Sequence, residues 1–362
     1  MRKLTKIPGS VLMDDLCWYD PQQVPELVFG LNWFQQERLY RRVPKDWPEP
    51  FPELVEQLSW HMTGAQLRFL TDSRSLTLRV RLAGPPTFMH MPATGQCGFD
   101  CSIDEGQGLH YYSPSIYPDC TVDQTVRFYK MTDERLRHVA IHFPLYQGVE
   151  KLEIGIDDKA AVFEPWPYPS DPRLVFYGTS ITQGGCASRP CMSYTSLIGK
   201  ALDISCINLG FGGGGRGEPA MARLIASLNK LAMIVLDYEA NAGYDGLRQT
   251  LPAFLDILRQ AHPAIPIVVV SQIRFAREWF EPKRRQIRIA SAAYQRRLVD
   301  DRRCRGDLNL YFVDGGRLLG RDYDLCCVDG VHPTDLGFWR ISRGLLPVIR
   351  RILDSNHRMI RA

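Results

Sequence analysis

The hydrophobic pattern of this chain changes its period once, across Pro165-Trp166-Pro167-Tyr168-Pro169-Ser170-Asp171-Pro172. Four prolines in eight residues resist both helix and central strand, and make a stiff spacer. Before it, apolar and polar side chains alternate in short runs: Gln66–Thr71, Ser75–Leu82, Thr125–Met131, Leu136–Phe143 and Leu152–Ile156. That is the period of a half-buried strand, and Gly, Pro or Asp separates the runs, so an antiparallel sandwich is expected. After it, near-continuous Val, Ile and Leu runs (Arg173–Tyr177, Ile204–Leu209, Leu231–Leu236, Ile265–Ser271, Leu310–Val313) alternate with helical stretches (Tyr194–Leu202, Pro219–Leu228, Leu247–Ala261, Pro282–Arg303). This predicts a parallel sheet covered on both faces, a three-layer α/β/α domain. With 362 residues there is length for two cores. The expected division is a β domain over 1–168 and an α/β domain over 172–362.

Composition narrows the class. The net charge of +4, from 44 basic and 40 acidic residues, is too balanced to imply a nucleic-acid partner. The densest basic stretch, Arg274 to Arg305, carries Ile287, Ile289, Ala293 and Leu298 at helical spacing and reads as the solvated face of an amphipathic helix. No apolar run reaches the roughly 18 residues of a membrane span, and Val11–Met13 is too short for a signal core. The expectation is a protein of the cytoplasm, with no membrane partner. Its ten cysteines contain no Cys-x-x-Cys pair, and the Cys97 to Cys101 step has no second half at zinc spacing. Reduced core thiols are expected, and neither a metal nor a cofactor. Oligomeric state is not readable.

In a doubly wound sheet, ligands bind beyond the carboxyl ends of the strands. Gly178-Thr179-Ser180-Ile181-Thr182 follows the first strand, putting a serine on a strand-to-helix turn. Asn208-Leu209-Gly210-Phe211-Gly212-Gly213-Gly214-Gly215 surrounds the end of the second, where glycine lets a bare N–H approach a ligand. Asp237-Tyr238-Glu239-Ala240-Asn241 follows the third. Late in the chain stands Asp329-Gly330-Val331-His332-Pro333, where the carboxylate can hold the imidazole in one tautomer and leave Nε2 to take a proton. Singly, these are an N-cap, a turn asparagine and a structural histidine. Jointly, in this order at successive strand ends, they point to nucleophilic catalysis.

These blocks resemble those of the SGNH hydrolases, the GDSL esterases and lipases. The resemblance spans about Arg173 to Leu353 and implies a flavodoxin-like domain. Ser180 stands at the nucleophile position, and Gly213 and Asn241 match the oxyanion donors beside the Ser180 N–H. Asp329 and His332 match the orienting acid and the base. Gly30-Leu31-Asn32-Trp33 and Tyr40-Arg41-Arg42 resemble the jelly-roll-like N-terminal sandwich of one branch. Two positions depart from the pattern: Thr179 and Ala242 stand where Asp is usual, which bears on loop geometry and substrate choice. The resemblance implies a covalent serine ester and a short, acetyl-like acyl group on a carbohydrate or other small molecule. Water completes the cycle in an esterase, an alcohol in an acyltransferase.

Other features bear on the substrate. Trp18, Trp33, Trp47 and Trp60 are candidates to meet a sugar, or else to pack the β domain or a domain interface. Cys186, Ser188, Arg189 and Cys191 follow the nucleophile closely, as Arg216 and Glu218 follow the glycine run. In a different class, Gly210 to Gly215 also satisfies a dinucleotide fingerprint, with Asp237 where a ribose-binding acid stands. That reading leaves Ser180, Asn241, Asp329 and His332 unexplained. A catalytically silent binding protein on the same fold is the third alternative.

Overall fold

The computed structural model describes residues 11–13, 16–116 and 121–361. It divides into two compact units. The first holds the described residues up to Asp46, with Ser59–Tyr168 and Ser188–Cys191; the second holds Trp47–Leu58, Pro169–Ala187 and the described residues from Met192 onward.

The first unit is built from two antiparallel sheets. One runs, in spatial order, Val11–Met13, Leu16–Tyr19, Val149–Asp157, Ser75–Leu82 and Asp123–Lys130. The other runs Val162–Phe163, Gln66–Thr71, Arg137–His142, Asp100–Asp104 and His110–Pro114, with Val28–Phe29 also paired to Gln66–Thr71. Alternation sends Leu76, Leu78 and Val80 inward from the first sheet and Leu67, Phe69, Val139 and Ile141 from the second, into one core. Among the candidate tryptophans, Trp18 is buried beneath the Arg79 guanidinium, 3.9 Å from its ring centroid, while Trp60 stays exposed with Arg41 over it. Arg189 and the Cys191 N–H belong to this unit, held by the buried Asp100 carboxylate at 3.3 and 2.7 Å, and Arg189 also lies over the Tyr111 ring. Those residues are committed to the β fold.

The second unit is a parallel sheet of β1 (Arg173–Gly178), β2 (Cys206–Gly210), β3 (Leu231–Asp237), β4 (Ile267–Val270) and β5 (Leu310–Val313), in the order β2-β1-β3-β4-β5. The reversal of direction beside β1 is the switch point of a doubly wound fold, and it opens the crevice where a ligand binds. The connecting helices are α1 (Ser180–Gln183), α2 (Tyr194–Leu202), α3 (Pro219–Ala226), α4 (Glu239–Ala261) and α5 (Pro282–Cys304), and α6 (Asp335–Arg361) closes the chain. The expected architecture, an α/β/α domain preceded by a β sandwich, is what forms.

Helix α5 corrects one expectation. The basic stretch is helical, but Ile287 and Ile289 are exposed, and the inward stripe is Arg288, Ser291, Gln295 and Val299. Those positions share one helical face, and buried partners compensate their polarity. Arg288 Nε reaches the Glu278 carboxylate at 2.8 Å, and Gln295 Nε2 reaches Glu239 at 2.6 Å. A buried polar group with a partner outcompetes an isoleucine that has none to pack on.

Candidate active site

Ser180 opens α1 immediately beyond β1, and it is half-exposed. Thr179 caps this turn: its hydroxyl accepts the Ile181 N–H at 3.2 Å, and the Thr182 hydroxyl accepts the Thr179 N–H at 3.3 Å. The short side chain at the departure from the family pattern therefore closes a capping box. Backbone crowding fixes the turn from below. A side chain on Gly178 would overlap Thr182 and the Asp237 carbonyl, and one on Gly210 would overlap the backbone of Gln183. Asn208 is buried and sets the same region, donating to the Thr182 carbonyl at 2.7 Å and the Thr195 hydroxyl at 2.9 Å.

His332 comes from the loop between β5 and α6. Its Nε2 lies 2.7 Å from Ser180 Oγ, and its Nδ1 lies 2.7 Å from Asp329 Oδ2. The other carboxylate oxygen accepts the N–H groups of Val331 at 3.0 Å and His332 at 2.8 Å. Partial burial pushes the Asp329 carboxyl up, but the His332 N–H, the imidazole and the Val331 N–H outweigh it, leaving it at about 2. An ionised carboxylate only accepts hydrogen bonds, so the ring proton sits on Nδ1 and Nε2 faces the serine as an acceptor.

Gly213 and Asn241 lie beyond the ends of β2 and β3, the two strands that flank β1. Gly213 is the one member of the Gly210–Gly215 run with left-handed backbone (φ +70°), the conformation glycine tolerates without strain. Its carbonyl accepts Arg216 Nε at 2.9 Å, and the neighbouring Gly212 N–H donates to Gln183 Oε1 at 2.9 Å, so the loop is held from two sides. Asn241 occupies the single turn between β3 and the break in α4 at Gly243, and its Nδ2 donates to the Phe211 carbonyl at 3.1 Å. Glu239 anchors this turn, its carboxylate accepting the Gln272 N–H at 2.7 Å and Gln295 Nε2.

Several site features carried no local signal in the sequence. Leu54 and Val55, on the short helix Glu53–Leu58, pack on the glycine loop: Leu54 Cδ2 stands 3.3 Å from where a Gly213 Cβ would be, and Val55 Cγ2 3.4 Å from that of Gly214. Arg216, which stays exposed, and Glu218 brace the loop: Arg216 Nε donates to the Gly213 carbonyl, and Glu218 Oε1 accepts the Arg216 N–H at 2.9 Å. Asp237, the acid of the dinucleotide reading, receives the hydroxyls of Tyr194 at 3.1 Å and Thr182 at 3.3 Å on one oxygen. That carboxylate is engaged within the fold. No disulfide joins the described cysteines. Burial pushes the Cys186 thiol up to about 12, which suits a packing residue rather than a second nucleophile. Among the described residues, no helix is long and apolar enough to cross a membrane.

Comparison with known proteins follows the same division. Residues 171–350 match the GDSL-like lipase/acylhydrolase family, and residues 16–162 match the N-terminus of SGNH-hydrolase-type esterases. No curated protein matches the chain. Among solved structures, a protein of Bacteroides ovatus named as a GDSL-like lipase is 26% identical, with TM-score 0.86 over 94% of this chain and 98% of that one. The salicylyl-acyltransferase SsfX3 of a tetracycline biosynthetic pathway is 20% identical, with TM-score 0.73 over 93% and 98%. A family two carbohydrate esterase from Cellvibrio japonicus is 17% identical, with TM-score 0.56 over 82% and 90%. The last two are likenesses of fold.

Proposed function

Because the chain belongs to the GDSL-like lipase/acylhydrolase family, we propose that it is a serine esterase removing short acyl groups, acetyl foremost, from carbohydrate or other small-molecule esters. The observation that carries the proposal is the continuous chain from Ser180 Oγ through the His332 ring to the Asp329 carboxylate, with both steps at 2.7 Å. The carbohydrate half of the reading takes its cue from the fold shared with the family two carbohydrate esterase.

In this mechanism His332 Nε2 takes the proton of Ser180 as Oγ attacks the ester carbonyl, and Asp329 stabilises the imidazolium. Charge developing on the carbonyl oxygen is met by the N–H groups of Ser180 and Gly213 and by the Asn241 amide. One amide hydrogen of Asn241 serves Phe211, and the other remains for the oxyanion. The imidazolium returns its proton to the leaving alcohol, and water, activated by the same histidine, releases the acid.

Intact-mass analysis after exposure to a fluorophosphonate tests this. Labelling is expected on the parent chain, absent from Ser180→Ala and sharply reduced in His332→Ala. No adduct on the folded parent overturns the proposal. An acyl-donor screen then reads the substrate: comparable rates on long-chain lipid esters and acetylated sugars defeat the short-acyl assignment. Transfer to an added alcohol in preference to water converts the reading to an acyltransferase.

A further inference from the structure

The half of the substrate that leaves as alcohol receives its proton from His332, so it lies on the side of the loop carrying that residue. The acyl oxygen lies on the side of Gly213 and Asn241. Groups that border the His332 loop are therefore placed to meet the alcohol.

That border is aromatic. The 3₁₀ turn Ala276–Trp279 is tied to the loop by the Ala276 N–H, which donates to the Gly330 carbonyl at 3.0 Å, two residues before His332. Arg277 lies along Gly330, its Cγ 3.8 Å from where a Cβ would stand. At the end of this turn the Trp279 indole stacks on the Tyr323 ring, with centroids 5.7 Å apart and planes inclined by 9°. Tyr323 is buried beneath, yet Trp279 is 58% exposed, so the indole is a flat apolar surface with one covered face and one open. Phe280, next in sequence, is 89% exposed.

The surface is held rigidly. The Glu278 carboxylate, buried between Phe275 and Trp279 in sequence, accepts the Phe275 N–H at 3.1 Å and Arg288 Nε at 2.8 Å, which pins the turn to α5. Covering such a ring with a matching apolar surface removes it from water and is favourable.

We infer that Trp279 is a platform for a sugar ring of the alcohol moiety, setting specificity for glycosyl esters. This rests on the esterase reading above. A flat, immobile indole suits the flat CH face of a pyranose, whose hydroxyls remain free for donors such as the neighbouring Arg277. A flexible lipid chain calls instead for a trough or an adaptable side chain. Trp279 acts on binding alone and takes no part in proton transfer.

Two measurements on the full chain test this. In the first, parent and Trp279→Ala are compared on 4-nitrophenyl acetate, which has no sugar, and on acetylated xylo-oligosaccharide. The expected result is a KM raised about tenfold on the oligosaccharide, with kcat unchanged and the small ester within twofold. Trp279→Phe is expected to restore most of the loss. Equal KM values for parent and variant, or equal losses on both substrates, overturn the platform. In the second, calorimetry follows xylohexaose binding to Ser180→Ala and to Ser180→Ala/Trp279→Ala. Saturable binding lost with the indole supports the platform even where the parent hydrolyses neither ester, a result that sinks the esterase reading alone. Unchanged or absent binding overturns the platform, as does a variant whose only change is weaker attachment to phosphatidylcholine vesicles or weaker self-association.

Discussion

Asn241 donates its side-chain amide to the Phe211 carbonyl, 3.1 Å away, and so ties the turn beyond β3 to the glycine loop beyond β2. One hydrogen bond thus fixes the relative position of two of the three oxyanion donors proposed above. Asn241→Ala removes a donor and loosens the loop. Loss of one such donor costs about 2.7–4 kcal/mol of transition-state stabilisation, a fall in kcat of roughly a hundredfold to a thousandfold. Steady-state kinetics on an acetyl ester is the check, and an unchanged kcat removes Asn241 from the machinery.

Leu54 leans on Gly213, one of the oxyanion donors proposed above. On the reading that the acyl chain runs past this loop, shortening Leu54 makes room for a longer one. Leu54→Ala is expected to raise kcat/KM for butanoyl relative to acetyl esters by about tenfold, the worth of one or two methylenes. A ratio equal to that of the parent shows that the leucine does not border the acyl group.

A stability profile isolates Asp237. Burial raises its carboxyl, beyond what the Tyr194 and Thr182 hydroxyls offset, to about 7. The unfolded chain ionises at about 3.9. Between those values the folded state binds the extra proton, so Asp237 makes stability fall as pH rises, with the loss complete above about 7. Asn keeps an acceptor for both hydroxyls but cannot ionise. Thermal unfolding from pH 4 to 8 is expected to show the parent Tm declining relative to Asp237→Asn, and parallel curves refute the assignment.

Gly178→Ala tests the crowding under Ser180. The added methyl meets the Asp237 carbonyl, a backbone atom without freedom to withdraw. Overpacking of this kind costs about 1–3 kcal/mol. Denaturant midpoint and kcat are expected to fall together, since the same displacement moves Ser180. An unchanged midpoint means that the strand ends yield more easily than their packing suggests.

Much of this molecule is legible in its residues, for identifiable reasons. The strands Gln66–Thr71, Ser75–Leu82 and Leu310–Val313 coincide with their sequence runs because a periodicity of two, or a run buried on both faces, is a local signal. Ser180, Asp329 and His332 stand out because turn chemistry and short spacing are local too. The inward face of α5 was hidden, because Gln295 finds Glu239 across 56 residues and its polarity says nothing of that partner. Leu54 was hidden likewise: nothing near it in sequence speaks of a glycine loop beyond residue 210. Strands of two residues, such as Val28–Phe29 and Val162–Phe163, are too short to show a period.

Asp329 and His332 lie on one tight turn, joined through the imidazole and through two backbone N–H groups to the same carboxylate. The acid–base half of the proposed machinery is therefore a cartridge of four consecutive residues, held to the turn after β4 by the Ala276 N–H on the Gly330 carbonyl. Long-range folding then sets the separation between this cartridge and Ser180. A loop graft or a circular permutation that carries residues 329–332 intact is expected to keep the Asp329–His332 hydrogen bonds.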